Sequence, residues 1–262
     1  MRERIVSLSD NFWTVRGSFK IGGLLDIGTQ AALVRRASGG FVLLDSYTLS
    51  PALRKEVDAL THEGRDIEAV INLHPFHTVH VRATHNAFPN AKHYGTARHR
   101  KLFPELKWEP TATEDPATHA LFAPDLEFRV PRGVDLVSAD ENVHFSSVLA
   151  LHPASRTLYV DDTVTFFHLP FPFGLFAPDG LVRFHLTLAK ALERRAGAAA
   201  DFRRWAEELI ERSRTLDHLC AAHRNVLSAP ASGPAETTLA HRLRDALTRA
   251  EPVLRAHEKK HG

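Results

Sequence analysis

Short apolar runs broken by glycine and aspartate open the chain and predict a β meander: Ile5–Leu8, Phe12–Arg16, Ala31–Arg35 and Gly40–Leu44. Asp45 and Ser46 close the last run. The apolar period then lengthens. Leu53, Val57 and Leu60 predict a helix over Pro51–Glu63, with proline in its first turn and Gly64 as its stop. Ile67–Leu73 is apolar with little alternation and reads as a buried strand. A short helix at Ala83–Phe88 and a short strand at Lys92–Tyr94 come next, and Trp108–Pro124, with its Thr, Pro, Asp and Glu, reads as a surface loop. A second set of strands is expected at Leu126–Val130, Val134–Val137, Ser146–Leu151 and Thr157–Val160. The chain ends in helical spacing over Leu186–Arg195, Asp201–Cys220 and Glu236–Glu258, with a short strand at Asn225–Leu227 and a frayed tail at 259–262. Strands and helices do not alternate simply. That argues against a doubly wound sheet and for one α/β domain over 1–262 in which two sheets pack face to face with helices outside.

Composition narrows the function classes. Hydrophobic residues make up 44% and charged residues 24%, which suits a chain with a sizeable core. A formal charge of +2 gives no reason to expect a nucleic-acid partner or an anionic membrane. Arg98-His99-Arg100-Lys101 accordingly reads as a solvated face, as do Arg203, Arg204, Glu207, Glu208, Glu211 and Arg212 on one helix, with pairs such as Glu208–Arg212. The single cysteine, Cys220, excludes an intrachain disulfide and reads as a buried structural thiol at a helix end. The N-terminus has no signal-peptide core and no run reaches the ~18 apolar residues of a membrane helix, so a cytoplasmic protein is expected. The phenylalanine-rich stretch Thr163–His185 suits either an apolar lid over a site or rings packed on the core or a homodimer contact.

Seventeen histidines shift attention to chemistry. In Asn72-Leu73-His74-Pro75-Phe76-His77-Thr78-Val79-His80 three imidazoles recur every third residue directly after an apolar strand. Pro75 argues against a continuing helix, and a loop at a strand end can turn several imidazoles to one point. Two readings stand: a metal site, or a loop of histidines bonded to backbone carbonyls. His144 lies just before one expected strand, and Asp161-Asp162 end another, where a carboxylate can share a metal with imidazoles or simply cap a turn.

In this order the pieces resemble the metallo-β-lactamase superfamily. Val42-Leu43-Leu44-Asp45-Ser46-Tyr47 stands where that family has its hydrophobic–Asp–Thr–Gly turn. Pro75-Phe76-His77-Thr78-Val79-His80 stands for its His-x-His-x-Asp-His loop. His144 and Asp162 stand for its later histidine and strand-end aspartate, and Ala229–Pro234 for its Pro-Gly-His-Gly turn. The match spans roughly residues 5–235 and departs from the family at Pro75, Val79 and Ser232, each in place of a ligand. The resemblance implies a four-layer αββα sandwich and one divalent metal held by His77, His80, His144 and Asp162, with zinc first and iron or manganese as alternatives. His74, beside the lost first histidine, becomes an extra ligand or a base, and Asp161 and His185 are the other candidate bases. The activity implied is a metal-dependent hydrolase of a small molecule acting through a metal-bound hydroxide. The alternative is a non-catalytic protein that binds a small molecule or partner on the same fold.

Overall fold

The computed structural model describes residues 3–18, 20–21, 25–26, 28–167, 180–221 and 226–262. Within these, the chain divides into two compact units, Met1–Glu127 and Phe128–Gly262.

The first unit begins with β1 (Arg4–Ser9) and β2 (Phe12–Gly17), continues through a small ribbon of β3 (Lys20–Ile21) and β4 (Leu25–Asp26), and returns in β5 (Thr29–Arg35) and β6 (Phe41–Leu44). Helix α1 (Pro51–Leu60), strand β7 (Ile67–Ile71), helix α2 (Val81–Ala87), strand β8 (Lys92–Tyr94) and helices α3 (Ala97–Leu102) and α4 (Pro116–Phe122) follow. Six of these strands form one sheet in the order β1-β2-β5-β6-β7-β8. The meander half is antiparallel, whereas β6, β7 and β8 run parallel. Parallel strands are usually covered on both faces, and β6 is buried at all four positions. Ser50 caps α1, its hydroxyl accepting the Leu53 amide, and Leu53 and Val57 seat the helix on Val15, Leu33, Leu43 and Val70.

β9 (Glu127–Arg129) begins at the last residue of the first unit, and the second unit goes on with β10 (Leu149–His152), β11 (Thr157–Val160), β12 (Val164–Phe167), β13 (Leu181–Phe184), α5 (Leu188–Ala191), α6 (Ala198–Arg212), β14 (His218–Ala221), β15 (Val226–Ser228) and α7 (Leu239–His261). Its sheet runs β15-β14-β11-β10-β9, and β12 pairs with β13 as a separate ribbon. Phe202, Trp205 and Leu209 of α6 and Leu243, Leu247 and Leu254 of α7 form one core with Leu149, Leu151, Leu158 and Val160 of the sheet. Arg203 of α6 pairs with Glu251 and Glu258 of α7, so it joins two helices instead of lying on a purely solvated face.

Several expected elements differ. Trp108–Pro124 is no plain surface loop. It contains α4, started by Pro116, and buries Ala112, Thr113, Thr118 and Phe122. Val134–Val137 forms only a bridge, Val134 to Leu192. The helix expected over Leu186–Arg195 shrinks to α5. The helix expected over Asp201–Cys220 stops at Arg212, where the Ser213 hydroxyl turns back onto the Leu209 carbonyl, and a 3-10 turn at Ser213–Thr215 follows. Cys220 therefore sits in a strand, buried, as β14 runs parallel to β11. Glu208 takes Arg132 as its partner, and α7 carries on to His261, so the tail is helical. Most of the phenylalanine-rich stretch, residues 168–179, lies outside the described residues. Among the described residues, no helix is long and apolar enough to cross a membrane.

Candidate metal centre

Side chains for chemistry gather where parallel strands end, because the loops there leave along one edge of the sheet. Asp45 follows β6 in a left-handed conformation (φ 60°), one that aspartate tolerates better than most residues. Its backbone N–H donates to the Ile71 carbonyl, and its carboxylate accepts the Leu73 amide at 2.7 Å. The Ser46 hydroxyl donates to Asn72 Oδ1 at 2.7 Å, and the Asn72 amide donates to the Tyr94 carbonyl at the end of β8. Asp45 and Asn72 are buried and Ser46 half-buried, and together they stitch three strand ends, so that the chain leaves β7 along a fixed path into the histidine loop.

In that loop His74 is fully buried and His77 half-buried. Their rings stack with centroids 4.0 Å apart and planes 14° apart. The Phe76 amide donates to His74 Nδ1 at 3.1 Å, which puts the proton of the neutral ring on Nε2 while that bond is made. The His77 amide closes the turn on the His74 carbonyl. His80 begins α2, with Nδ1 2.8 Å from the Thr48 hydroxyl and its ring edge-on to Tyr47. Burial, helped by His77 nearby, lowers its pKa and keeps it neutral near pH 7. Its Nε2 is buried and makes no hydrogen bond. Val79 is 71% exposed and Pro75 is buried, and neither offers a ligand atom.

Two residues of α3, unread as functional in the sequence, hold this loop from below. His99 Nε2 donates to the His77 carbonyl at 3.2 Å, and Arg98 donates to the Pro75 carbonyl at 3.1 Å. Burial pushes the His99 pKa down to about 4, so the ring stays a neutral donor. His99 is completely buried, so the basic run Arg98–Lys101 is not uniformly a solvated face. The signal available was Thr96 three residues before His99, a capping box with imidazole in the usual Glu or Gln place.

In the second unit, β11 is followed directly by Asp161 and Asp162, both buried. Thr163, the next residue, donates to the Phe145 carbonyl at 2.9 Å and accepts the Ser147 amide at 3.0 Å. It thus fastens the aspartate end of β11 to the segment that carries His144. His185 Nδ1 lies 2.8 Å from the Thr187 hydroxyl, and the His185 amide donates to the Thr163 carbonyl. Ser232 is exposed in a turn anchored by Asp217, whose carboxylate accepts the Ala231 amide at 2.7 Å.

Of all these side chains, His74, His77, His144 and Asp162 make up a donor set that could hold a metal ion, each giving one atom. Three imidazoles and a carboxylate suit zinc and its neighbours among the divalent ions. His80 is not part of that set.

No protein-family model matches the sequence, and no curated protein resembles it in sequence. Solved structures do match. A metallo-β-lactamase from Erythrobacter litoralis with β-mercaptoethanol in its active site superposes with a TM-score of 0.59 at 13% identity, covering 94% of this chain and 96% of that one. A metallo-β-lactamase from Pseudomonas aeruginosa in its mono-zinc form gives 0.61 at 10% identity, over 95% and 96% of the two chains. One from Hirschia baltica gives 0.59 at 12% identity, over 97% and 98%.

Proposed function

We propose, from a chain that has the metallo-β-lactamase fold, that it is a metal-dependent hydrolase of a small molecule, working with one divalent ion. The observation that carries the reading is the donor set His74, His77, His144 and Asp162. When bound, the ion would polarise a carbonyl or ester-like group and lower the pKa of a water toward ~7. Zinc is the first ion to test, since the similar Pseudomonas aeruginosa enzyme is a mono-zinc form; iron and manganese come next.

The chain's own residues divide the remaining work. His77, His144 and Asp162 would give the three protein ligands that a catalytic site usually needs. His74 joins them as a ligand through Nε2 only by surrendering its Nδ1 bond to the Phe76 amide; with that bond kept, it is a proton donor. His80, neutral and turned to Thr48, keeps a nitrogen that can accept a proton, or bind a cation if the loop rearranges. Asp161, buried beside Asp162, and His185 are the other candidate bases. The family's usual acceptor for the attacking water is missing, because Val79 cannot accept a hydrogen bond. That observation favours a second reading, a non-catalytic binding protein on the same fold.

Metal content of tag-free protein, measured by elemental mass spectrometry beside His77→Ala and His144→Ala, tests the proposal. About one equivalent in the wild type, lost in both variants, is expected, and a screen of esters, lactones and phosphodiesters then follows. No uptake after incubation with zinc, iron and manganese would overturn the hydrolase and leave the binding protein.

A further inference from the structure

We infer that α3 is a clamp on the histidine loop, and that Arg98 and His99 are positioning residues that fix how His74 and His77 present their imidazoles. Its effect on affinity rests on the metal reading above; its geometry does not.

Three consecutive loop residues are held from the one helix. Arg98 donates to the Pro75 carbonyl at 3.1 Å, and its guanidinium lies 4.4 Å from the centroid of the Phe76 ring. His99 donates to the His77 carbonyl at 3.2 Å. A loop that contains proline has few internal hydrogen bonds to give, and a buried carbonyl left unpaired costs about 1–3 kcal/mol. Here α3 supplies the missing donors.

The His99 ring has only one way to do this. Its Nδ1 already accepts the Thr96 amide, so the proton sits on Nε2, and a flipped ring would lose both bonds. The ring is also boxed in. A Cβ at Gly95 would lie 2.8 Å from His99 Cβ and 2.7 Å from the Trp108 ring, so glycine makes the room. The helix is tied down in turn: Glu114 accepts the Ala97 amide at 3.0 Å, and the Trp108 indole donates to the Phe103 carbonyl at 2.9 Å. A rigid, singly oriented donor beneath His77 is what a ligand backbone needs if its ring is to arrive at a cation already aligned. Removing such outer partners of a metal site typically costs ~10–100-fold in affinity.

Four variants of the full chain test this: His99→Ala, His99→Gln, Arg98→Ala, and His93→Gln as a buried imidazole that is stacked on His85 and bonded to the Phe88 carbonyl. Three quantities are read: zinc affinity by chelator competition with the cobalt(II) ligand-field spectrum, hydrogen exchange of the Phe76 and His77 amides in metal-free protein, and the melting temperature. His99→Ala is expected to bind ~10–100-fold more weakly, with a shifted cobalt spectrum and faster exchange at both amides. His99→Gln, which keeps a donor, should fall between it and the wild type, and Arg98→Ala should show a smaller loss. His93→Gln should lower the melting temperature and change neither affinity nor loop exchange. Wild-type affinity and wild-type loop exchange in His99→Ala, or in His99→Gln if the alanine variant does not fold, would overturn the clamp. If the wild type takes up no metal, the exchange measurement decides alone: faster exchange keeps the clamp while the metal reading falls.

Discussion

The first unit contains two stacked pairs of imidazoles, and they are built for different ends. His74 and His77 lie 4.0 Å apart at 14°, and His85 and His93 lie 3.7 Å apart at 21°. The second pair sits on a helix and a strand and is closed in by the Trp108 ring. His93 donates to the Phe88 carbonyl at 2.9 Å, and His85 Nδ1 faces the Val81 carbonyl at 3.2 Å. Both are buried, and burial pushes the His93 pKa down to about 4. The first pair sits in a strand-end loop, with His77 half-buried and both rings in the set of side chains that could hold a metal ion. A stack of histidines is therefore no metal signature in itself. What separates the pairs is whether backbone carbonyls of regular elements hold the rings, or a loop presents them at a strand end.

Removing one ring from each pair should separate their roles most strongly. His77→Ala should lose bound metal, roughly a hundredfold or more in affinity, while folding stability moves by less than about 1 kcal/mol, as for most substitutions away from a core. His93→Ala should do the reverse, costing about 2–3 kcal/mol in urea denaturation through a cavity and a lost buried hydrogen bond, with metal content intact. Equal effects on metal in both variants would erase the distinction.

Acid gives a smaller and graded test. The folded chain holds His93 neutral down to about 4, whereas its ordinary value is 6.5. Between those values the unfolded chain binds the extra proton, so stability is complete above about pH 6.5 and declines as the pH falls toward 4. The urea midpoint should fall across that window in the wild type and less steeply in His93→Gln; parallel slopes would show that the stack is not what titrates. The smallest effect is expected at Asp45→Asn, which keeps an acceptor for the Leu73 amide and tolerates the left-handed backbone, and should cost less than about 1 kcal/mol by thermal melting.

Much of the first unit could be read from residues alone, because the period of its apolar positions changes cleanly from strand to helix. Lys92–Tyr94 there, and Thr157–Val160 in the second unit, are strands with the expected ends, and β7 leads into the histidine loop as its apolar run implies. The fold class expected from the order of pieces is the one the solved structures share. His77, His144 and Asp162 were also visible as candidate ligands, since each follows or precedes an apolar strand. Other features were hidden for identifiable reasons. Helical spacing ran past Arg212 because leucine and cysteine suit either period, and it is pairing with β11 and β15 that makes His218–Ala221 a strand. The role of His99 was masked by the charges around it, because a basic run looks solvated whichever of its members turns inward. His80 was expected as a ligand, and its contact with the Thr48 hydroxyl depends on where the chain after β6 passes, which spacing does not reveal.

One pairing of features has a practical side. The chain's single thiol, on Cys220, is shut inside a strand, whereas Val79, two residues beyond His77, projects with 71% of its surface exposed. A thiol reagent should pass over the native protein. A Val79→Cys chain would then carry a spin label or fluorophore at one address, on the lip of the histidine loop. The outward valine thus leaves an attachment point from which events at the histidine loop could be watched in solution.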